Sequence, residues 1–219
     1  MQSHHVAGYF EHGVCLAFFA AIVAPMESPQ VRLALFASGS GSNAEEIMKR
    51  FRHRNDVQVV LLLSNNADAF ALERAKKFGV PTRVFNRAQF RESDEVVTWL
   101  REASVTHIVL AGFLWLIPHN LIAAFPNKII NIHPALLPKF GGKGMYGMKV
   151  HEAVKAAGEK ETGITIHEVN EHYDEGKIIF QATCSIAPTD TPEDIAQKIH
   201  QLEYAHFPEV IDRWVTTGL

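Results

Sequence analysis

Val31–Phe36 is a short apolar run that passes directly into Ala37-Ser38-Gly39-Ser40-Gly41-Ser42-Asn43 and then into the helical stretch Ala44–Phe51. A strand, a Gly/Ser loop and a helix start in that order confine the chain to α/β layouts. A strand followed by a covering helix returns to its sheet as a parallel neighbour. The pattern recurs. Val57–Leu63 is a second strand, and Ala67–Phe78 is a helix closed by Gly79-Val80-Pro81. Thr82–Phe85 is a short strand, and Phe90–Ala103 is an amphipathic helix with Phe90, Val96, Val97 and Leu100 turned inward. His107–Ala111 and Lys128–His133 are further apolar strands. The expected fold is α/β: one domain with a mostly parallel twisted sheet and helices on both faces.

After Lys139 the pattern changes. Phe140–Val150 carries four glycines and reads as a mobile loop, followed by a short helix, His151–Ala157. Gly163–Val169 and Lys177–Cys184 alternate like strands around the polar loop Asn170–Gly176, which predicts an antiparallel element near the C-terminus. Thr191-Pro192-Glu193-Asp194 is a helix start. The closing helix runs to about Val215, interrupted or bent near Pro208.

The 219 residues suffice for a sizeable core, and 47% apolar with 21% charged residues is ordinary for a globular protein. A net charge of −3 without a basic run argues against nucleic acid as a partner. Cys15 and Cys184 form neither a disulfide framework nor a metal-spaced cluster, so a reducing cytoplasm is expected and no metal. Val14–Ala24 is apolar but too short to span a bilayer, and no Lys or Arg precedes it as in a signal peptide. Residues 1–25 are therefore expected to be a loosely held extension or a translation-start artefact. Residues 26–219 are expected to form the single folded domain.

Two stretches carry chemistry. In Ala37–Asn43, glycines let backbone N–H groups approach an anion, and the helix start adds a favourable dipole. Ser38, Ser40, Ser42 and Asn43 supply further donors, with Ser42 or Asn43 as N-cap. Gly39-x-Gly41-x-x-Ala44 also fits a dinucleotide fingerprint, but the second strand ends Ser64-Asn65-Asn66 without the acidic residue that reading needs. A single phosphate is the better ligand. The second stretch is Lys128–His133, which ends on Asn131 and His133 before Pro134 and Pro138. Residues two apart on a strand share a face, so carboxamide and imidazole point the same way at the strand's carboxyl end. A carboxylate from the 170–176 loop would raise the His133 pKa, and Asn with protonated His stabilises an oxyanion. No nucleophilic Ser or Cys stands with them, which points to direct attack by an amine or water on a carbonyl carbon. Gly112–Ile117, after the fourth strand, suits the wall of a pocket for a flat heterocycle or a buried helix start.

These stretches resemble the phosphoribosylglycinamide formyltransferase family of the folate-dependent formyltransferase superfamily. The likeness runs through Ser38–Asn43, Ser64–Phe70, Ala111-Gly112-Phe113, Asn131–Lys139, Gly163–His167 and the Asp174 loop. It implies a catalytic trio of Asn131, His133 and Asp174. The amine of glycinamide ribonucleotide would attack the formyl carbon of 10-formyltetrahydrofolate, the cosubstrate, with Asp174 keeping His133 charged. Gly39, Ser40, Gly41, Ser42, Asn43 and Pro134 would hold the first substrate, with Glu203 on its ribose. Leu114, Trp115, Leu116, Ile117, Asn131, Val169 and Tyr173 would enclose the folate. His167 matches a position that is often histidine in the family and suits a supporting role. Trp115 stands where many members carry an arginine, Ser93 aligns with an expected folate-contacting arginine, and the 141–150 loop is longer than usual. The resemblance implies small-molecule partners, no membrane, and a monomer or homodimer.

Related enzymes divide on added domains. A formyltetrahydrofolate deformylase would share the trio, use water, and usually carry a regulatory domain before it. A methionyl-tRNA formyltransferase would need a further RNA-binding domain. A non-catalytic nucleotide-binding module would use only the Gly/Ser loop.

Overall fold

β1 (Val31–Phe36) is an interior strand of the sheet, with Leu33 and Leu35 facing one side and Ala34 and Phe36 the other, all fully buried. The computed structural model describes residues 30–218, so the extension expected at 1–25 lies outside the described residues. Within them β1 joins β2 (Val57–Ser64), β3 (Thr82–Val84), β4 (His107–Leu110), β5 (Ile129–His133), β6 (Glu161–Glu168) and β7 (Ile178–Ser185) in one sheet. Its order is β3-β2-β1-β4-β5-β6-β7. The first five strands run parallel, and β6 is antiparallel to both β5 and β7. This is the mixed sheet expected.

Helices cover both faces. On one, α1 (Ser42–Phe51), α2 (Phe70–Lys77), α6 (Met148–Ala156) and α7 (Pro192–Thr217) pack Ile47, Leu72, Val154 and Phe207 over Leu33 and Leu35. On the other, α3 (Arg87–Arg91), α4 (Glu95–Glu102) and α5 (His119–Ala124) pack Phe90, Leu100 and Leu121 over Ala34 and Phe36. Phe36, Phe85, Phe90 and Phe113 form an aromatic cluster there, with Phe85 and Phe90 stacked at 4.8 Å and Phe113 edge-on to Phe36 at 5.4 Å. Such pairs contribute about 0.5–1.5 kcal/mol each beyond their buried area.

Several boundaries differ from expectation. The stretch Phe90–Ala103 is two helices. Asn86 and Gln89 form a capping box that starts α3 early, and the polar Glu92-Ser93-Asp94 turn ends it before α4. α2 starts only at Phe70, because Asn66 draws the Asp68 N–H to its side chain and the Ala69 N–H to its carbonyl. α6 begins at Met148, inside the expected loop. α7 runs without interruption through Pro208, which is buried beside Phe207 and Val210. There, packing offsets the missing backbone hydrogen bond.

Candidate active site

The chain leaves β1 toward β2 on one side and reaches β4 on the other, so the crossover direction reverses between β1 and β4. In open α/β sheets, ligands bind beyond the carboxyl ends of the strands at such a reversal. A cavity of about 710 Å³ occupies that place, within the range of small-molecule sites. The loops following β1, β4 and β5 form its floor.

The loop after β1 is held from behind. The Ala71 N–H donates to the Gly39 carbonyl at 3.1 Å, and Arg74 donates its Nε–H to the Ser40 carbonyl at 2.9 Å while pairing with Glu45. These bonds engage two of the loop's carbonyls from the α2 side. The N-cap of α1 is Gly41, at φ 70°, rather than Ser42 or Asn43, and no side chain caps the helix. A Cβ on Gly41 would lie 2.4 Å from that of Ala71, so both its backbone angle and its packing require glycine. An uncapped helix start facing a cavity leaves backbone N–H groups free to meet an anion. Ser38 ties this loop to its neighbours: its hydroxyl donates to Asn65 Oδ1 at 2.7 Å and accepts from the Leu114 N–H at 3.1 Å.

Asn131 and His133 project from β5 into the same cavity, as their spacing requires. Asp174 enters from the β6–β7 loop in a left-handed conformation, φ 58°. Its Oδ2 lies 3.5 Å from His133 Nδ1 and accepts the Gly142 N–H at 2.9 Å. Its Oδ1 lies 3.5 Å from His167 Nε2. The ring of His133 donates Nε2–H to the Phe140 carbonyl at 2.8 Å, which leaves the Nδ1 lone pair toward Asp174. His167 donates Nδ1–H to the Glu168 carbonyl at 2.7 Å, so its Nε2 accepts from Asn131 Nδ2 at 3.1 Å. His167 thereby fixes which way the Asn131 carboxamide faces.

Charge on His133 differs from the sequence expectation. Burial pushes its pKa below the ordinary value and outweighs the upward pull of Asp174 and the Phe140 carbonyl. The imidazole is thus neutral near pH 7 in the open site. Burial also penalises the Asp174 carboxylate, but the neighbouring imidazoles and the Gly142 N–H more than compensate, and its pKa lies below the ordinary carboxylate value.

Residues 31–211 match the formyl transferase family model. The chain belongs to the formyl transferase family. It is 44% identical over 191 residues to the chloroplastic phosphoribosylglycinamide formyltransferase of Arabidopsis thaliana, covering 84% of this chain and 65% of that protein. It is 41% identical to the Bacillus subtilis phosphoribosylglycinamide formyltransferase, covering 82% of this chain and 92% of the relative. The chain thus spans under two thirds of the Arabidopsis protein and 60% of the Vigna unguiculata one. The crystal structure of the Bacillus halodurans phosphoribosylglycinamide formyltransferase superposes with a TM-score of 0.77 at 34% identity, over 86% of this chain and 97% of that one.

In this formyl transferase site, every residue of the expected trio, substrate set and folate set lines the same cavity, whereas Ser38 does not. Gly39–Asn43 lie along one end, with Glu203 of α7 beside Asn43, and Pro134 follows the β5 pair. Leu114, Trp115, Leu116 and Ile117 form an irregular wall after β4, not a helix start, in the cavity that Val169 and Tyr173 also line. Trp115 sits edge-on to Phe85 at 6.0 Å, so the aromatic cluster holds the indole at the cavity wall. Ser93 does not line the cavity; it lies in the α3–α4 turn, with its hydroxyl on the Gln89 carbonyl.

Sequence reasoning missed His151 on α6 and His200 on α7, and it did not assign Met145, Tyr146 and Met148 to the roof. His200 had a signal: with Glu203 it forms an i, i+3 pair on one helix face, at 3.2 Å in the structure. Its hydrogen bond to Glu203 raises its pKa. His151 had none, because its burial depends on packing between α6 and α7.

Proposed function

We propose that the chain transfers the formyl group of 10-formyltetrahydrofolate to the amine of 5-phosphoribosylglycinamide, a step of de novo purine biosynthesis. The observation that carries this reading is the sharing of one cavity by an anion-binding helix start and the Asn131–His133–Asp174 group. A phosphate on Gly39–Asn43 sets the distance of its own amine from β5. The apolar wall Leu114–Ile117 receives a flat ring carrying the formyl donor.

The amine nitrogen attacks the formyl carbon, and the carbonyl π pair moves to oxygen to give a tetrahedral oxyanion. The second N–H of Asn131, not used by His167, donates to that oxygen. Neutral His133 takes the proton released by the attacking amine at its Nδ1. The resulting imidazolium is favoured by Asp174 and by the new oxyanion, so His133 gains its charge during the reaction and not before it. The oxyanion then collapses, the bond to the folate nitrogen breaks, and the His133 proton passes to that nitrogen as it leaves. Atoms and charge balance without an acyl-enzyme, a metal or a redox step.

A cytoplasmic setting belongs to this reading, supported by the sparse cysteines. The Arabidopsis relative carries the word chloroplastic in its name, and cell fractionation tests the point. The reaction is tested by incubating the protein with both substrates and following the ribonucleotide by mass spectrometry. A gain of one formyl group is expected. Formate release with unmodified ribonucleotide contradicts the transfer.

A further inference from the structure

The Gly/Ser loop uses the two ends of its peptide units differently. The carbonyls of Gly39, Ser40 and Gly41 each accept a hydrogen bond, from the Ala71 N–H at 3.1 Å, Arg74 Nε–H at 2.9 Å and the Glu45 N–H at 2.9 Å. The N–H groups of Ser40, Gly41 and Ser42 are the other ends of those three units, and they have no partner among the described residues. Each free N–H thus belongs to a peptide whose oxygen is already engaged, and hydrogen bonds in such a chain polarise one another. Of the three donors on these oxygens, only the Arg74 guanidinium carries a full charge. A charged donor makes a bond about twice as strong as a neutral one.

Arg74 does not line the cavity. It rests on α2 with its Cζ 4.9 Å from the centroid of the Phe70 ring, and only 25% of its side chain is exposed. Its other arm pairs with Glu45, in the first turn of α1. That carboxylate opposes an anion at the same helix start, because it satisfies the helix dipole itself and repels a second negative charge. The other cation beside Glu45 is Lys49 at 3.6 Å, which is half-exposed and lies closer to Glu46, at 2.8 Å. An exposed, shared lysine screens little, so Arg74 is the effective counterion of Glu45.

We infer that Arg74 sets the affinity of the Gly39–Asn43 loop for a phosphate without touching it, by polarising the Ser40–Gly41 peptide and by cancelling the charge of Glu45. Arg74 is a positioning residue for the phosphorylated substrate and takes no part in the chemistry at His133. That the phosphate belongs to a ribonucleotide rests on the function proposed above. The effect of Arg74 on an anion in the loop rests on the hydrogen-bond pattern.

The test measures the Kd of ribose 5-phosphate by titration calorimetry for wild type, Arg74→Gln, Glu45→Gln and the double variant, at one pH and low salt. Glutamine carries its Nε2 as many bonds from Cα as arginine carries Nε, so it can keep the donor on Ser40 while removing the charge. Arg74→Gln should weaken binding about tenfold. Glu45→Gln should tighten it about threefold, because Arg74 then acts unopposed, and the double variant should return to within about threefold of wild type. The affinity for 10-formyl-5,8-dideazafolate should stay near wild type in all of them. Unchanged phosphate affinity in Arg74→Gln overturns the inference, as does an equal loss of affinity for the folate analogue, which reports general loosening. Should Arg74→Gln fail to fold, Glu45→Gln decides alone: a loosened loop weakens binding, so only the charge effect predicts a gain, and no gain overturns the inference. Absence of formyl transfer by wild type would strike the proposed function instead, and the ribose 5-phosphate titrations would still decide the role of Arg74.

Discussion

The carboxylate of Asp174 stands 3.5 Å from Nδ1 of His133, although one comes from a loop beyond β6 and the other from the end of β5. That distance is too long for a strong hydrogen bond and short enough for a large Coulomb effect in a buried site. It suits a pair that tightens when a proton arrives on His133.

Removing either partner should therefore damage turnover more than binding. Asp174→Asn keeps the size and can still accept the Gly142 N–H, but it loses the charge that supports the imidazolium. A fall in kcat of about 10²–10³-fold is expected for Asp174→Asn and at least as much for His133→Ala. The KM for the ribonucleotide should stay within about threefold. Steady-state kinetics checks this, and wild-type kcat in Asp174→Asn would remove the role assigned to the carboxylate.

His167 acts through Asn131. His167→Phe removes the acceptor at 3.1 Å and frees the carboxamide to rotate, which should lower kcat about tenfold, the value of one lost hydrogen bond. His167→Gln, which retains an acceptor, should recover part of it. Equal losses in the two variants would point to packing alone.

Gly41→Ala places a methyl group 2.4 Å from Ala71 Cβ at a backbone angle that costs alanine about 1–2 kcal/mol. The loop must shift, so the KM for the phosphorylated substrate should rise about tenfold or more while the affinity for the folate stays near wild type. Separate titrations of the two ligands distinguish this from general loosening, which would weaken both.

Stability should decline on mild acidification, and His107 is a principal cause. Burial pushes its pKa from 6.5 to about 4, with Lys128 adding to the effect. Between those values the unfolded chain binds the proton and the folded chain does not, so stability falls as pH falls. The contribution at pH 5 relative to pH 7.5 is about 2 kcal/mol. His107→Phe keeps an aromatic ring edge-on to Trp214 and should lose about that much less between the two pH values in urea denaturation. A wild-type slope in the variant would assign the pH dependence to other groups.

The sequence made the architecture readable because period-2 strands, glycine loops and capped helices are local features. Asn131 and His133 were legible for the same reason, as neighbours on one face of β5. Asp174 was reached only through the family likeness: its left-handed backbone and the turn that aims it depend on contacts across the 170–176 loop. The break between α3 and α4 depended on a side-chain capping box competing with an apolar pattern. The neutrality of His133 was not legible, since the sequence names its charged neighbours but not the depth of its burial. Nor was the reach of Arg74 to the Ser40 carbonyl, which exists only once α2 is packed against the loop.

The most direct test of the account follows deformylation of 10-formyl-5,8-dideazafolate by absorbance, with and without glycinamide ribonucleotide. Deformylation should require the ribonucleotide and be lost in His133→Ala. Formyl loss at the same rate without it would mean that water is the acceptor, and would contradict transfer to the amine.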